Sequence, residues 1–236
     1  TSRASFFVID KERGELNSLS YGISVSLENA ILFQDQQRQF RSVLKVMAAS
    51  IDAKDHLTAG HSEGVERYAA GIAKELGFGE QEIDVLGVAA LLHDYGKLGI
   101  DDNILKKPGR LTNQEFDHIK QHVVLTRKIL DQMYFARKYR NVPLIASSHH
   151  ERLDGSGYMN GLKGNDIPFM SKILAVADVF EALTAKRHYR DALAPEQALE
   201  IIEKDVRTQF DENIINALKR YWAKQKSDRG KTVDTP

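Results

Sequence analysis

Leu91-Leu92-His93-Asp94-Tyr95-Gly96-Lys97 is the stretch that decides the fold, because two apolar residues lead directly into an imidazole and a carboxylate. Adjacent helical positions point about 100° apart, since an α-helix has roughly 3.6 residues per turn. His93 and Asp94 therefore fit poorly as equal ligands of one ion, and better beside two metal ions that share the carboxylate. Lys97 lies one turn after His93, where its ammonium could meet an anion on those metals. Taken alone, the dipeptide is more often a core histidine beside a capping aspartate.

The same ligand chemistry recurs along the chain at positions where a helix end or a helix face could carry it to one centre. The candidate metal ligands are His61, His93, Asp94, His122, His149, His150 and Asp178. Five imidazoles and two carboxylates exceed what one tetrahedral ion can use. They suit two ions about 3.5–4 Å apart. Nitrogen and oxygen ligands without sulfur favour iron or manganese over structural zinc.

Each candidate also has an ordinary structural explanation. His61 could be a polar surface residue, and His122 could form a separate or solvated pair with His118 at i, i+4. Asp178 lies in an apolar stretch, where a carboxylate is costly to bury unless it has a partner, and a cation would serve. The ordered series of histidines and aspartates is nevertheless hard to explain by packing alone.

Composition excludes several classes of protein. Lys plus Arg and Asp plus Glu each number 33, so charge does not indicate a nucleic-acid partner. The chain has no Cys, which rules out disulfides and thiolate metal sites. Since no apolar run reaches about 18 residues, we expect no membrane span.

Apolar spacing predicts a mainly α fold, with a helical bundle as its body. Residues 20–50 read as a long connecting helix with a polar middle, which either pairs with a copy of itself or lies on the surface. Residues 5–10 and 15–19 read as a small β remnant of two strands. Residues 151–168 contain four Gly and read as a functional loop.

These motifs resemble the HD-GYP domain, a branch of the HD phosphohydrolase superfamily, and the resemblance implies an HD-type helical bundle. The matching motifs are His61-Ser62, 93–97, His122, 149–158, 178–184 and 187–190. We assign residues 38–225 to this domain, 1–37 to a partial GAF-like sensor remnant with its exit helix, and 226–236 to a disordered tail. The resemblance implies a bacterial cytoplasmic phosphodiesterase that hydrolyses cyclic di-GMP to pGpG, and in many members GMP, with a metal-bridging hydroxide.

The resemblance also implies ligand roles. One metal is assigned to His61, His93, Asp94 and Asp178, and the other to Asp94, His122, His149 and His150. Some family members bind a third metal through a Glu at the position of Leu57, which cannot bind one. We therefore expect two divalent ions, iron or alternatively manganese, with Asp94 and Lys97 as the catalytic residues.

Substrate contacts are expected from Lys97, Asp154, Tyr158, Arg187 and Arg190. The family's Gly-Tyr-Pro signature ends here in Met159, so the loop should be looser than with proline. An alternative reading is therefore a weak or inactive module that binds cyclic di-GMP, and a third is an HD-type hydrolase of another nucleotide. Expected partners are cyclic di-GMP, a second copy through the connecting helix, and signalling proteins, but neither nucleic acid nor membrane.

Overall fold

A computed structural model describes the backbone of residues 2–55, 60–186, 191–206 and 208–233, with side chains from Ser20 to Ser227 within those ranges. Its α-helices are α1 (Ser2–Lys54), α2 (His61–Glu75), α3 (Glu80–Leu92), α4 (Asp102–Leu105), α5 (Asn113–Leu130), α6 (Val142–Ser147), α7 (Phe169–Thr184), α8 (Pro195–Lys204) and α9 (Glu212–Val233). Short 3-10 turns cover Tyr95–Gly99, Arg137–Tyr139 and Gly164–Asp166. These ranges contain no β-strand, which confirms the mainly α fold.

The predicted β remnant is wrong, because α1 covers both 5–10 and 15–19. A short apolar run such as Phe6-Phe7-Val8-Ile9 cannot be assigned to strand or helix by periodicity alone. Two strands without a larger sheet are also marginally stable. A continuous helix satisfies its backbone hydrogen bonds within itself, so it needs no partner sheet.

The first of two compact units, Thr1–Val43, consists of most of α1, and the predicted connecting helix is thus confirmed as helical. Several large apolar side chains are exposed along it, among them Tyr21, Leu27, Ile31 and Phe33. In the described parts of the chain, no helix carries an apolar stretch that would span a bilayer.

The second unit, Leu44–Pro236, contains the hydrophobic core. Helix α2 packs against α3, α7 and α9, while α5 packs against α6 and the 95–99 turn. Leu86, Leu92, Ile173 and Leu174 are fully buried in α3 and α7. Because apolar burial contributes roughly 25 cal/mol per Å², this packing fixes the helix ends that carry the candidate ligands.

The turn that follows α3 lies directly on the backbone of α5. A Cβ atom built on Gly96 would lie 1.9 Å from the carbonyl oxygen of His122, so only glycine fits. The Gly96 N–H donates to Thr126 Oγ1 at 2.8 Å, and the Thr126 hydroxyl donates to the His93 carbonyl at 3.1 Å. This contact places the residues after α3 beside His122.

At the C-terminus, α9 continues past Lys224 to Val233, which corrects the predicted disordered tail over 226–236. Lys, Gln and Arg are good helix formers, so a polar composition does not by itself end a helix. Residues 234–236 lie outside the described part of the chain, and the domain boundaries at 37 and 225 stay predictions.

Candidate metal centre

The structure brings all seven predicted metal ligands together in one largely buried site. Their ligand atoms form three overlapping groups, each with atoms within 4.8 Å of one another. The groups are His61, His93 and Asp178; His93, Asp94 and His149; and His122, His149 and His150. The ligands come from the start of α2, the ends of α3 and α6, and the middles of α5 and α7, so the site depends on the packing of the whole second unit.

Three histidine rings are oriented by the same kind of hydrogen bond. The Nδ1 atom lies within hydrogen-bond distance of the backbone carbonyl three residues earlier, at 2.7 Å for His93, 2.8 Å for His122 and 2.6 Å for His149. A carbonyl oxygen can only accept, so each Nδ1 carries the hydrogen and each Nε2 presents a lone pair. All three Nε2 atoms are buried without a hydrogen-bond partner in the described part of the chain.

These Nε2 lone pairs face carboxylate oxygens, which are also acceptors. Asp94 Oδ2 lies 3.5 Å from His93 Nε2 and 3.8 Å from His61 Nε2. Asp94 Oδ1 lies 3.3 Å from His122 Nε2 and 3.8 Å from His149 Nε2. Acceptors that face one another while buried are costly unless a cation lies between them. The residues therefore fit a divalent metal, and the two oxygens of Asp94 face different histidines.

The protonation states of three histidines agree with metal binding. Burial lowers the pKa of His149 to about 3 and also lowers the pKa values of His122 and His150, so these rings stay neutral. Neutral imidazole is the form that binds a metal. Burial alone would raise the pKa of Asp94, but the adjacent charge of Lys97 opposes this, and the pKa lies well below its usual range.

Asp178 and His61 form the other part of the site. Asp178 Oδ1 lies 3.3 Å from His61 Nε2 and 3.9 Å from His93 Nε2. Burial opposes ionisation of Asp178, but the hydrogen bond and charge of His61 keep its pKa well below the usual range. Burial likewise opposes a charge on His61, while Asp178 and Glu181 outweigh it and raise the pKa of His61 to about 10.

Lys97 reaches the site as an ion pair with protein carboxylates. Its Nζ lies 2.7 Å from Asp94 Oδ2 and donates to Asp55 Oδ2 at 3.0 Å. Burial would lower the pKa of Lys97, but Asp94 and Asp55 raise it above its usual value. Lys97 is therefore charged and adjacent to Asp94. Its contact with substrate stays a prediction.

The predicted substrate contacts divide into three groups. Tyr158 is half-buried beside the site, with its ring stacked on His150 at a centroid distance of 4.7 Å. Asp154 is exposed and accepts from the Ser156 N–H at 2.8 Å, so it shapes the loop and has no described contact with the ligands. The predicted contacts Arg187 and Arg190 lie outside the described residues, as does Leu57.

The sequence analysis missed several buried acids near the site, among them Glu181, Asp52 and Asp55. Glu181 accepts a hydrogen bond from His61 Nδ1, and Asp52 accepts from the Ser62 hydroxyl at 2.8 Å. Asp55 pairs with Lys97. A signal was present in the sequence, because Glu181 follows Asp178 by one turn in the same apolar helix, and a second carboxylate there also needs a partner.

Comparisons with known proteins identify the family of this chain. The HD domain family model matches residues 45–214. The 3'3'-cGAMP-specific phosphodiesterase 3 of Vibrio cholerae is 41% identical over 170 residues, which are 72% of this chain and 36% of the relative. The cyclic di-GMP phosphodiesterase response regulator RpfG of Xanthomonas campestris is 37% identical over 199 residues, which are 84% of this chain and 52% of the relative.

A solved structure gives the same result. The cyclic GMP-AMP specific phosphodiesterase V-cGAP3 of V. cholerae superimposes with a TM-score of 0.50 at 34% identity, over 78% of this chain and 41% of that one. The chain thus spans between 36% and 52% of the length of the two curated relatives described above. The family match, in contrast, covers most of this chain and contains every predicted metal ligand. The chain therefore belongs to the HD domain family.

Proposed function

We propose that this protein is a metal-dependent phosphodiesterase that hydrolyses cyclic di-GMP to pGpG and then to GMP. The observation that carries the proposal is the set of buried Nε2 lone pairs that face the ionised carboxylates of Asp94 and Asp178. Relatives named as cyclic di-GMP and 3'3'-cGAMP phosphodiesterases support a cyclic dinucleotide as the class of substrate.

We infer that the site holds two divalent ions, iron or alternatively manganese. One ion is assigned to His61, His93, Asp94 and Asp178, and the other to Asp94, His122, His149 and His150. The two oxygens of Asp94, which face different histidines, support its role as the shared ligand. Nitrogen and oxygen donors without sulfur favour iron or manganese.

Two divalent ions would supply an acidified water and positive charge for attack on a phosphodiester. The chain's own residues orient this chemistry: the Nδ1 hydrogen bonds fix the rings of His93, His122 and His149 before any ion binds. Lys97 adds a buried positive charge beside Asp94, where it can stabilise negative charge on phosphoryl oxygens.

The wall of the site beyond His150 suits a nucleotide. Tyr158 stacks on that ring, and the Lys120 ammonium lies 5.8 Å from the centroid of the Tyr158 ring. An aromatic ring and a cation at the rim can border a base and a phosphate. Met159 follows and is 38% exposed, so it belongs to the surface of this loop.

A second candidate substrate is 3'3'-cGAMP, because the relative at 41% identity is named for it. The test is a panel of cyclic di-GMP, 3'3'-cGAMP and cyclic di-AMP, incubated anaerobically with protein loaded with Fe²⁺ or Mn²⁺. We expect linear products from cyclic di-GMP, with Asp94→Asn as the matched inactive control. Faster cleavage of 3'3'-cGAMP would instead assign the second candidate.

The panel also separates catalysis from binding. Binding of cyclic di-GMP without any product from either metal form would indicate the weak or inactive signalling module that Met159 suggests. The absence of both binding and turnover with all three nucleotides would contradict the proposal.

We also propose that the protein is a homodimer through α1. The exposed apolar side chains Leu27, Ile31 and Phe33 support this proposal, because a helix that exposes such residues is stabilised by pairing with a copy. The nucleotide cyclic di-GMP and protein partners in cyclic di-GMP signalling remain the other proposed partners.

A further inference from the structure

We propose that Glu181 is a positioning residue that orients His61 for metal binding through the hydrogen bond to His61 Nδ1. The inference rests on the two-ion site proposed above, and it adds a residue that lies outside the predicted ligand set. It starts from the fact that both ring nitrogens of His61 face carboxylates of the same helix, α7.

Asp178 and Glu181 are three residues apart on α7, so their side chains share one face of the helix. The Glu181 carboxylate accepts the hydrogen bond from Nδ1, while Asp178 Oδ1 lies 3.3 Å from Nε2. With Nδ1 held by Glu181, Nε2 points toward the other ligands, 3.8 Å from Asp94 Oδ2. One turn of α7 therefore sets the rotation of this ring.

His61 needs such a side chain because of its place in the fold. His93, His122 and His149 each use the carbonyl three residues earlier in the chain to hold Nδ1. His61 is the first residue of α2, so that helix has no earlier turn of its own to offer a carbonyl. A carboxylate from α7 takes that role.

The packing around Glu181 fits this role. The residue is 7% exposed, and a carboxylate at that depth is costly unless it is paired. A Cβ atom built on Gly64, one turn after His61, would lie 2.8 Å from Glu181 Cγ and 3.1 Å from Oε1. The absence of a side chain at Gly64 thus leaves α2 open where the Glu181 side chain passes.

A carboxylate on the far nitrogen fixes the ring and raises the basicity of the nitrogen that binds the metal. Loss of such a partner typically weakens metal affinity about 10- to 100-fold. The hydrogen bond of Glu181 is to His61, which is assigned to one ion only, so the loss should fall on that ion.

The experiment is a titration of metal-free protein with Mn²⁺, in which the bound ions are counted and each affinity is measured. Glu181→Met keeps the length and volume of the side chain without an acceptor, whereas Glu181→Gln keeps an acceptor without the charge. We expect the Met variant to bind one ion about 10- to 100-fold more weakly and the other as the wild type does. The Gln variant should lose less.

Glu63→Gln is the matched control, because Glu63 lies two residues after His61 on the same helix and pairs with Lys45. It should bind both ions with wild-type affinity. Wild-type binding of both ions by Glu181→Met, or equal losses in the Met and Gln variants, would overturn the proposal.

A second route covers the case in which Glu181→Met fails to fold, as judged by circular dichroism of the metal-free protein. Gly64→Ala should displace the Glu181 side chain without removing it and cause the same selective loss of one ion.

If the wild type itself bound no Mn²⁺ or Fe²⁺, the proposed function would fail. Crystal structures of the metal-free wild type and Glu181→Met would then still decide, since an unchanged His61 ring would refute positioning.

Discussion

At the scale of single residues, Lys97 connects two buried acids, and its removal has two separable effects. Lys97→Met removes the ammonium that pairs with Asp55 and Asp94, and breaking a buried ion pair typically costs about 3–5 kcal/mol. We therefore expect a lower thermal midpoint for the metal-free protein. Turnover of the loaded enzyme should fall further than its metal content, which elemental analysis would show.

The double variant Lys97→Met with Asp55→Asn distinguishes stability from catalysis. It removes one charge of each sign, so the thermal midpoint should recover much of the loss while turnover does not. Recovery of both, or equal loss of turnover and bound metal in the single variant, would make Lys97 a structural residue.

The buried histidines also predict how stability depends on pH. Burial lowers the pKa of His149 from 6.5 to about 3, so between these values the unfolded chain binds a proton that the folded chain does not. The stability of the metal-free protein should therefore fall as the pH is lowered through this window. His61, with its pKa raised to about 10, loses its contribution only as the pH rises above 6.5, so the two windows do not overlap.

Thermal unfolding of the metal-free protein between pH about 6.5 and about 4 measures this effect. Each kcal/mol lost should lower the midpoint by about 2–4 °C for a domain of this size. His149→Gln should reduce the slope, whereas the exposed His118→Gln should not. A midpoint that stayed constant or rose on acidification would contradict the assignment of neutral buried rings.

At the scale of secondary-structure elements, the contact between the 95–99 turn and α5 is the most sensitive to substitution. The Cβ of Gly96→Ala would lie 1.9 Å from the His122 carbonyl, so the turn must move away from the helix. Overpacking of this kind costs about 1–3 kcal/mol, and it would also separate His93 and Asp94 from His122. We expect lower stability together with loss of bound metal.

Gly79→Ala is the control for that change. A Cβ there would have only Glu82 Oε2 nearby, at 3.7 Å, and the backbone φ is −75°. Stability and metal content should both stay close to those of the wild type. Full metal binding by Gly96→Ala would show that the turn and α5 do not need this contact.

The helices also show which parts of the structure could be predicted from the sequence. Apolar periodicity predicted the mainly α fold and the connecting helix over 20–50, which α1 contains. The candidate ligands were predicted because an ordered series of histidines and aspartates is hard to explain by packing alone, and the structure brings these residues together. Phe6 to Ile9 was misread because a short apolar run fits both helix and strand. Glu181 was missed because its partner, His61, is 120 residues away, and such a pairing is set only by packing.

At the scale of the whole molecule, α1 carries the prediction about assembly. Leu27 and Ile31 are 61% and 51% exposed, one turn apart on the same helix. Replacing both with Glu should weaken a dimer at least about tenfold. Each new carboxylate would either lose its hydration in the interface or face the same carboxylate of the second copy. Analytical ultracentrifugation of the wild type and the double variant measures the change.

Ser24 and Ser50 offer a matched control on the same helix, since their hydroxyls bond only to the carbonyl four residues earlier. Ser24→Ala with Ser50→Ala should leave the association unchanged. A wild type that sedimented as a monomer at all concentrations would refute the dimer without touching the metal site.

The way the rings are held has a consequence for how such sites diversify. Three of them are fastened by main-chain oxygens, which no point mutation can delete. Of the other two candidate ligand histidines, His61 depends on one replaceable side chain, that of Glu181. In the proposed two-ion centre, a single codon change at Glu181 would therefore weaken the binding of one ion selectively, while the rings of His122 and His149, which are assigned to the other ion, stay held by the peptide backbone.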